Sequence, residues 1–347
     1  MTTPTVSDSR TFGRILAYVT ERIEPGIKDT VGVHSPAVGI FLAETLGASF
    51  GATRLSGAGR KLQTGGERIR VNHRLGRSTN SNRLAGQWAN VSTAAQDNVR
   101  PAFYNWKHYS GAATFSFFEE LVSMGETALA NLVTEEMDNE VRSLAELIGE
   151  DIYADGGADA INTLANLISA DDSIGGLDGT NYVKNGGWNA RGLSARGTVP
   201  ASIDFASGAF STQGLADLRT CWYNATEGSQ QPTVGLTGQT NLARYEGVLQ
   251  PQERYTNASM ADGGFMNLAF KTVPMIADSK CEEMASGTIF LVNTNATRMV
   301  VLSGADFQFR PPHEAQNQEA TSAKLLWKGQ LVTDDRRLNN KMTSVTD

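Results

Sequence analysis

Cysteine is nearly absent from the chain: Cys221 and Cys281 are the only two in 347 residues, and their spacing forms no pattern. That excludes a disulfide-stapled scaffold and suits a reducing compartment. Histidine is almost as scarce. His34, His73, His108 and His313 lie far apart and share no ligand spacing such as H-E-x-x-H, so no metal site is expected. No apolar run reaches membrane-spanning length; the nearest candidate, "PAVGIFLAETLG", is interrupted by Glu44. The opening "MTTPTVSDSR" lacks the basic-then-apolar pattern of a signal peptide. A soluble chain made in a cytoplasm, without cofactor, is the expectation.

Chemistry-bearing motifs are equally thin. No Walker A sequence and no full G-x-G-x-x-G fingerprint is present. Asp171, Asp172 and Asp178 fail the EF-hand pattern, because the ligand alternation is broken at Ile174, and read as turn and cap residues. "GASFG", residues 47–51, matches the G-x-S-x-G elbow, which needs a buried strand before the serine and a helix after it. A Gly/Ser-rich loop follows here instead. A serine hydrolase at Ser49 therefore stands only as an alternative of another class.

What is there is glycine, 35 of it, with 40% hydrophobic and 19% charged residues, the composition of a turn-rich globular chain. Phe12, Ile15, Leu16, Val19 and Ile23 fall on one helical face, ended by Pro25-Gly26. One short amphipathic helix makes no core, so residues 1–55 read as an arm. Ile69 and Val71 alternate with Arg68, Arg70 and Asn72, which predicts a strand with one apolar and one cationic side. After a polar, turn-rich stretch, "PAFYNWKHYS" predicts the return leg of a long hairpin. The next segment carries the strongest local signal. A capping box at Ser116 and Glu119 opens a run in which Phe118, Val122, Leu129, Val133, Met137, Leu144, Ile148 and Ile152 recur at helical spacing, and Gly156-Gly157 closes it. Unbroken from Phe117 to Tyr153, this helix is about 55 Å long. Helices at "DAINTLANLI" and "TQGLADLRTCWYNA", strands at "TIFLVNT" and "MVVL", and closing strands at "SAKLLWKGQLVTDD" and "RRLNNKMTSV" complete an α+β chain.

The charge is segregated. The chain carries a net −7, yet Arg54 to Arg83 holds eight Lys/Arg against one Glu, while Glu119 to Asp159 holds twelve Asp/Glu against one Arg. The acidic neighbour weakens a nucleic-acid reading of the basic strip, since its field repels phosphate. Pairing of the strip with the helix of an identical chain is expected instead, with Arg68, Arg70, Arg74 and Arg77 facing the region of Glu135, Glu136 and Glu140.

Arm, long hairpin, long acidic helix, mixed domain and closing strands, in that order, resemble the tailed-phage major capsid proteins. "GERIRVNHRL" is similar to that family's extended-loop strand, and "FSFFEELVSMGETALANLVTEEMDNEVRSLAELIGEDIYADG" to its spine helix. "SIGGLDGTNY" with "WNARGLSA" resembles the start of its axial domain, and "AKLLWKGQLVTDDRR" the C-terminal strands of its peripheral domain. The "NYVKNGG" segment departs from the pattern by lengthening the loop before Trp188. The resemblance implies an arm at 1–55, an extended loop at 56–115, a spine helix at 116–165, an axial domain at 166–304 and peripheral-domain strands at 305–347. It implies a non-enzymatic subunit that closes, as pentamers and hexamers, into an icosahedral shell around double-stranded DNA without reading its sequence. Portal, scaffold or decoration proteins would be its partners, the virion its place, the host cytoplasm its site of assembly. Encapsulins share this fold and are the nearer alternative.

Overall fold

The structure, a computed structural model, describes residues 35–46, 60–74, 78, 80–95, 99–116, 126–169, 174–177, 202–204, 210–249, 268–271, 273–314 and 320–345. In chain order, α1 spans Pro36–Leu46, and β1 (Arg60–Gln63), β2 (Arg68–Arg74), β3 (Val99–Asn105) and β4 (Lys107–Ser116) follow. Next come α2 (Glu126–Tyr153), α3 (Leu164–Leu167), β5 (Ser202–Asp204), a π turn (Phe210–Gly214) and α4 (Leu215–Asn224). β6 (Val234–Thr237), α5 (Gln239–Leu249), β7 (Leu268–Phe270), β8 (Val273–Ala277) and α6 (Ser279–Met284) continue the chain. It closes with β9 (Ile289–Val292), β10 (Thr297–Leu302), β11 (Gln308–Glu314), β12 (Ala320–Thr333), a 3-10 turn (Arg336–Leu338) and β13 (Asn340–Thr343). The class is α+β, as expected.

The described chain divides into two units. The smaller comprises His108–Leu147 and Gly304–Lys328. Its sheet is made by β12, which pairs antiparallel with β11 and also pairs with β4. Trp327 is fully buried there, edge-on to Tyr109 at 5.4 Å, with Phe307 at 6.4 Å. The larger unit comprises His34–Lys107, Ile148–Ser303 and Gly329–Asp347. Its six-stranded sheet runs β5-β13-β9-β6-β8-β7. Side chains alternate across a strand. Thus Ile289 and Leu291 of β9 join Phe210, Leu218, Cys221, Leu242 and Tyr245 on one face, while Phe290 meets Tyr153 at 5.9 Å on the other. A strand buried on both faces needs no polar alternation, hence the run "IFLV". β1 pairs in parallel with β10, and β10 antiparallel with the last residues of β12.

Three sequence expectations change here. The segment Pro36–Leu46, inside the stretch read as an arm, is a helix whose Ala37, Val38, Ile40, Phe41 and Leu42 are buried in the body. Apolar on every side, it carries no periodicity by which to recognise it. Its partner α2 approaches so closely that a Cβ on Gly149 would lie 2.8 Å from Val38 Cγ2. Being helical, α1 also denies Ser49 the preceding strand that the elbow requires; Ser49 itself lies outside the described residues, as does the amphipathic segment at 12–23. Second, "DAINTLANLI" yields one helical turn, Leu164–Leu167. Buried Arg336 donates to the carbonyls of Asn166 (3.2 Å), Leu167 (2.9 Å) and Ser169 (2.5 Å), taking acceptors that a further turn would use. Third, the two closing strands form as expected on either side of Asp334 and Asp335, but they do not share a sheet: β12 ends at Thr333, and β13 joins β9 and β5 in the six-stranded sheet.

The long helix is observed from Glu126 to Tyr153, 28 residues and so about 42 Å, and residues 117–125 lie outside the described chain. It ends where expected: Asp155 Oδ1 accepts from Gly157 N at 3.0 Å, and Gly157 takes a φ of 92°. A buried carboxylate fastens this end. Asp278 is fully buried and accepts from Ser35 Oγ (2.6 Å), Ala37 N (3.2 Å), Tyr153 Oη (2.9 Å) and Lys280 N (2.9 Å). One side chain thus caps α6 and ties it to the starts of α1 and the end of α2. Lys280, also buried, reaches Glu150 at 2.6 Å and Glu283 at 3.3 Å.

Candidate functional site

The hairpin β2–β3 is built as its alternation predicts. Its antiparallel register sets Arg68 opposite Asn105, Arg70 opposite Phe103 and Arg74 opposite Val99. Ile69 and His73 are buried and Val71 half-buried, while Arg68, Arg70, Asn72 and Arg74 are exposed. The inner face continues in Ala102 and Tyr104, the outer in exposed Phe103 and Val99. Arg70 lies with its guanidinium 6.0 Å from the Phe103 ring centroid and donates from Nε to Asn72 Oδ1 at 3.0 Å. Arg70 thus has two partners on its own hairpin while staying exposed.

The stem is rooted in its own unit. Trp106 Nε1 donates to Gly66 O at 2.9 Å, Phe103 N to Gly175 O at 2.8 Å and Tyr104 Oη to Thr333 O at 3.4 Å. Lys107 Nζ holds Ala158 O. Burial pushes the Tyr104 phenol well above its ordinary value. Phe103, Tyr104 and Lys107 line a cleft of about 560 Å³ together with Asp155, Asn162 and Gln330. Its polar groups already serve one another, since Asn162 N donates to Gln330 Oε1 and Gln330 Nε2 to Asn105 O.

His73 is buried in the stem. Burial lowers its pKa, and a hydrogen bond to the Asp334 backbone with the charges of Asp334 and Asp335 only partly offsets this. Those carboxylates are engaged by Arg298 and Arg337. A histidine held neutral contributes its full stability above the unfolded value of about 6.5 and loses it as pH falls toward the lower folded value. The thermal midpoint should therefore fall between pH 7.5 and pH 5, and fall less in His73→Asn. Parallel melting curves check this; an identical pH dependence in the variant contradicts it.

Beyond the stem, residues 81–88 and 90–95 are exposed. The sequence reads this stretch as polar turns, and the structure adds that it is braced and carries Trp88 at its surface.

On the acidic side, Glu136 and Glu140 are half-buried, one turn apart on one face of α2. Glu140 packs on β4, where a Cβ on Gly111 would lie 2.8 Å from its Oε2. Burial, then the charge of Glu136, raises its carboxyl pKa. Glu135 belongs to the helix, but its side chain lies outside the described residues, and Arg77 lies outside them altogether. The structure thus places Arg68, Arg70 and Arg74 together in the larger unit, and Glu136 and Glu140 together in the smaller. Among the described residues no group of His, Cys, Asp or Glu is gathered for a metal ion.

A rooted hairpin, a long acidic helix and two sheets, one of them closed by the last strand, form an architecture with solved counterparts. The Cyanophage A-1(L) capsid asymmetric unit contains a chain that matches with a TM-score of 0.61 at 14% identity, covering 95% of this chain and 98% of that one. This is the capsid fold of tailed phages and encapsulins. The SrpI encapsulin of Synechococcus elongatus PCC 7942 matches with a TM-score of 0.54 at 10% identity, over 99% of this chain and 96% of its own. The capsid of Myoviridae phage XM1 matches with a TM-score of 0.50 at 10% identity, over 93% and 96%. No protein-family model and no curated protein matches the sequence.

Proposed function

We propose that this chain is a major capsid protein, assembling as pentamers and hexamers into an icosahedral head that encloses double-stranded phage DNA. The end-to-end likeness to a phage capsid chain, with little left over on either side, carries the reading. A basic hairpin, rooted through its stem and exposing its arginines, supports it. Shell formation needs heterologous contacts that close on themselves. Exposed ion pairs supply about 0–1 kcal/mol each, whereas burying ~1,000 Å² of apolar area supplies near 25 kcal/mol before entropy costs. Apolar burial holds the shell, and the arginine face sets which neighbour is touched and in what register. In this reading Arg68, Arg70, Arg74 and Arg77 face Glu135, Glu136 and Glu140 of an adjacent copy. A net −7 subunit suits a container that lets DNA slide during packaging, without sequence-specific contacts. Portal, scaffold or decoration proteins complete the head, which forms in the host cytoplasm.

The likeness to SrpI supports a second reading, an encapsulin-type compartment around protein cargo. The contents of particles from the native source separate the two. The capsid reading expects double-stranded DNA that resists nuclease until the shell is opened; a protein cargo with no such DNA overturns it in favour of the compartment.

A further inference from the structure

Among the described residues Trp88 is the most exposed large apolar side chain, at 95%, and Leu84 (53%) and Val91 (64%) share its loop. The loop is nonetheless built. Asn80 Nδ2 donates to Ala94 O at 2.6 Å, Ser92 Oγ to Asn80 Oδ1 at 2.8 Å, and backbone bonds Ser81 N to Ser78 O and Ala89 N to Gly86 O close two turns. A solvated tip would be expected to carry charge. Between residues 78 and 95 there is one charged side chain, Arg83, while the seven residues of β2 present three exposed arginines. The hairpin is therefore a cationic stem ending in an almost uncharged tip that exposes Leu84, Trp88 and Val91. Interfaces concentrate affinity in such aromatic groups and leave selection to the charges around them.

We infer that Trp88, with Leu84 and Val91, is the apolar anchor by which each copy grips a second copy of this chain; this rests on the shell reading above. The complement is on the same molecule. Along α2, Leu147 is 45% exposed and lies seven residues beyond Glu140 and eleven beyond Glu136, on the same face of the helix. The helix thus offers carboxylates and then an exposed leucine, as the hairpin offers arginines and then an exposed tryptophan. Charge and apolar character run in matching order on two surfaces that every copy carries, the requirement of a heterologous contact. The stem selects the neighbour and the tip holds it.

Trp88→Ala and Trp88→Phe in the full chain test this, read by the subunit concentration at which shells appear in light scattering and electron microscopy. Alanine should raise that concentration at least about tenfold and phenylalanine much less. The thermal midpoint of the unassembled subunit should not move, because the indole stands in water. If wild type forms shells and Trp88→Ala forms them at the same concentration, the anchor is wrong and the shell reading stands. A lowered midpoint also overturns the anchor, placing the indole in its own subunit's packing. If wild type forms no shells at all, the shell reading fails and takes the anchor with it.

Discussion

Asp278→Ala should destabilise the subunit by about 5 kcal/mol, a loss as large as the whole stability of a marginal domain. The substitution touches no surface; Asp278 is fully buried. It strands four donors at once, from Ser35, Ala37, Tyr153 and Lys280, at a fully buried position. Each unpaired buried donor costs about 1–3 kcal/mol, and partial relaxation keeps the sum below the simple total. Asp278→Asn keeps the shape but turns one acceptor into a donor facing donors, so an intermediate loss is expected. Urea unfolding followed by circular dichroism gives both values. A loss under about 1 kcal/mol for alanine would mean that α1, α2 and α6 hold together without the carboxylate.

Reversing Arg70 and Arg74 to Glu should suppress shell formation while leaving the subunit folded, since both side chains are exposed. Each contact then changes by four charges, and attraction toward Glu136 and Glu140 becomes repulsion. One exposed pair is worth little. The same change repeated at every contact of a closed shell is decisive, because like-charge juxtaposition also discriminates against the wrong register. Added salt should weaken wild-type assembly and partly relieve the variant. Glu136→Lys with Glu140→Lys should partly restore it. Sedimentation profiles of the three proteins decide, and a double reversal that assembles like wild type ends the pairing idea.

Much of the architecture is legible where the signal is local. Ile69, Val71 and His73 announce one face of β2, and Leu144, Ile148 and Ile152 announce the buried face of α2, because the periods of 2 and 3.6 are written within a few residues. Three features escape such reading for different reasons. Ala37 to Leu42 are apolar all round, so helix and strand look alike. The pairing of β13 with β9 joins residues some fifty positions apart, and pairing leaves no mark in either strand alone. Asp278 gathers donors from as far as 243 positions away in sequence, which only the folded chain brings together. The arginine face of the candidate site is legible from its alternation. Trp88 is not, because exposure is decided by what a loop fails to touch.

Electron microscopy of the purified chain, concentrated at low and at high salt, tests the central claim most directly. Tiling by identical copies predicts closed shells with five-fold and six-fold clusters of subunits, thinning out as salt rises. A chain that stays monomeric at every concentration and every salt would contradict it.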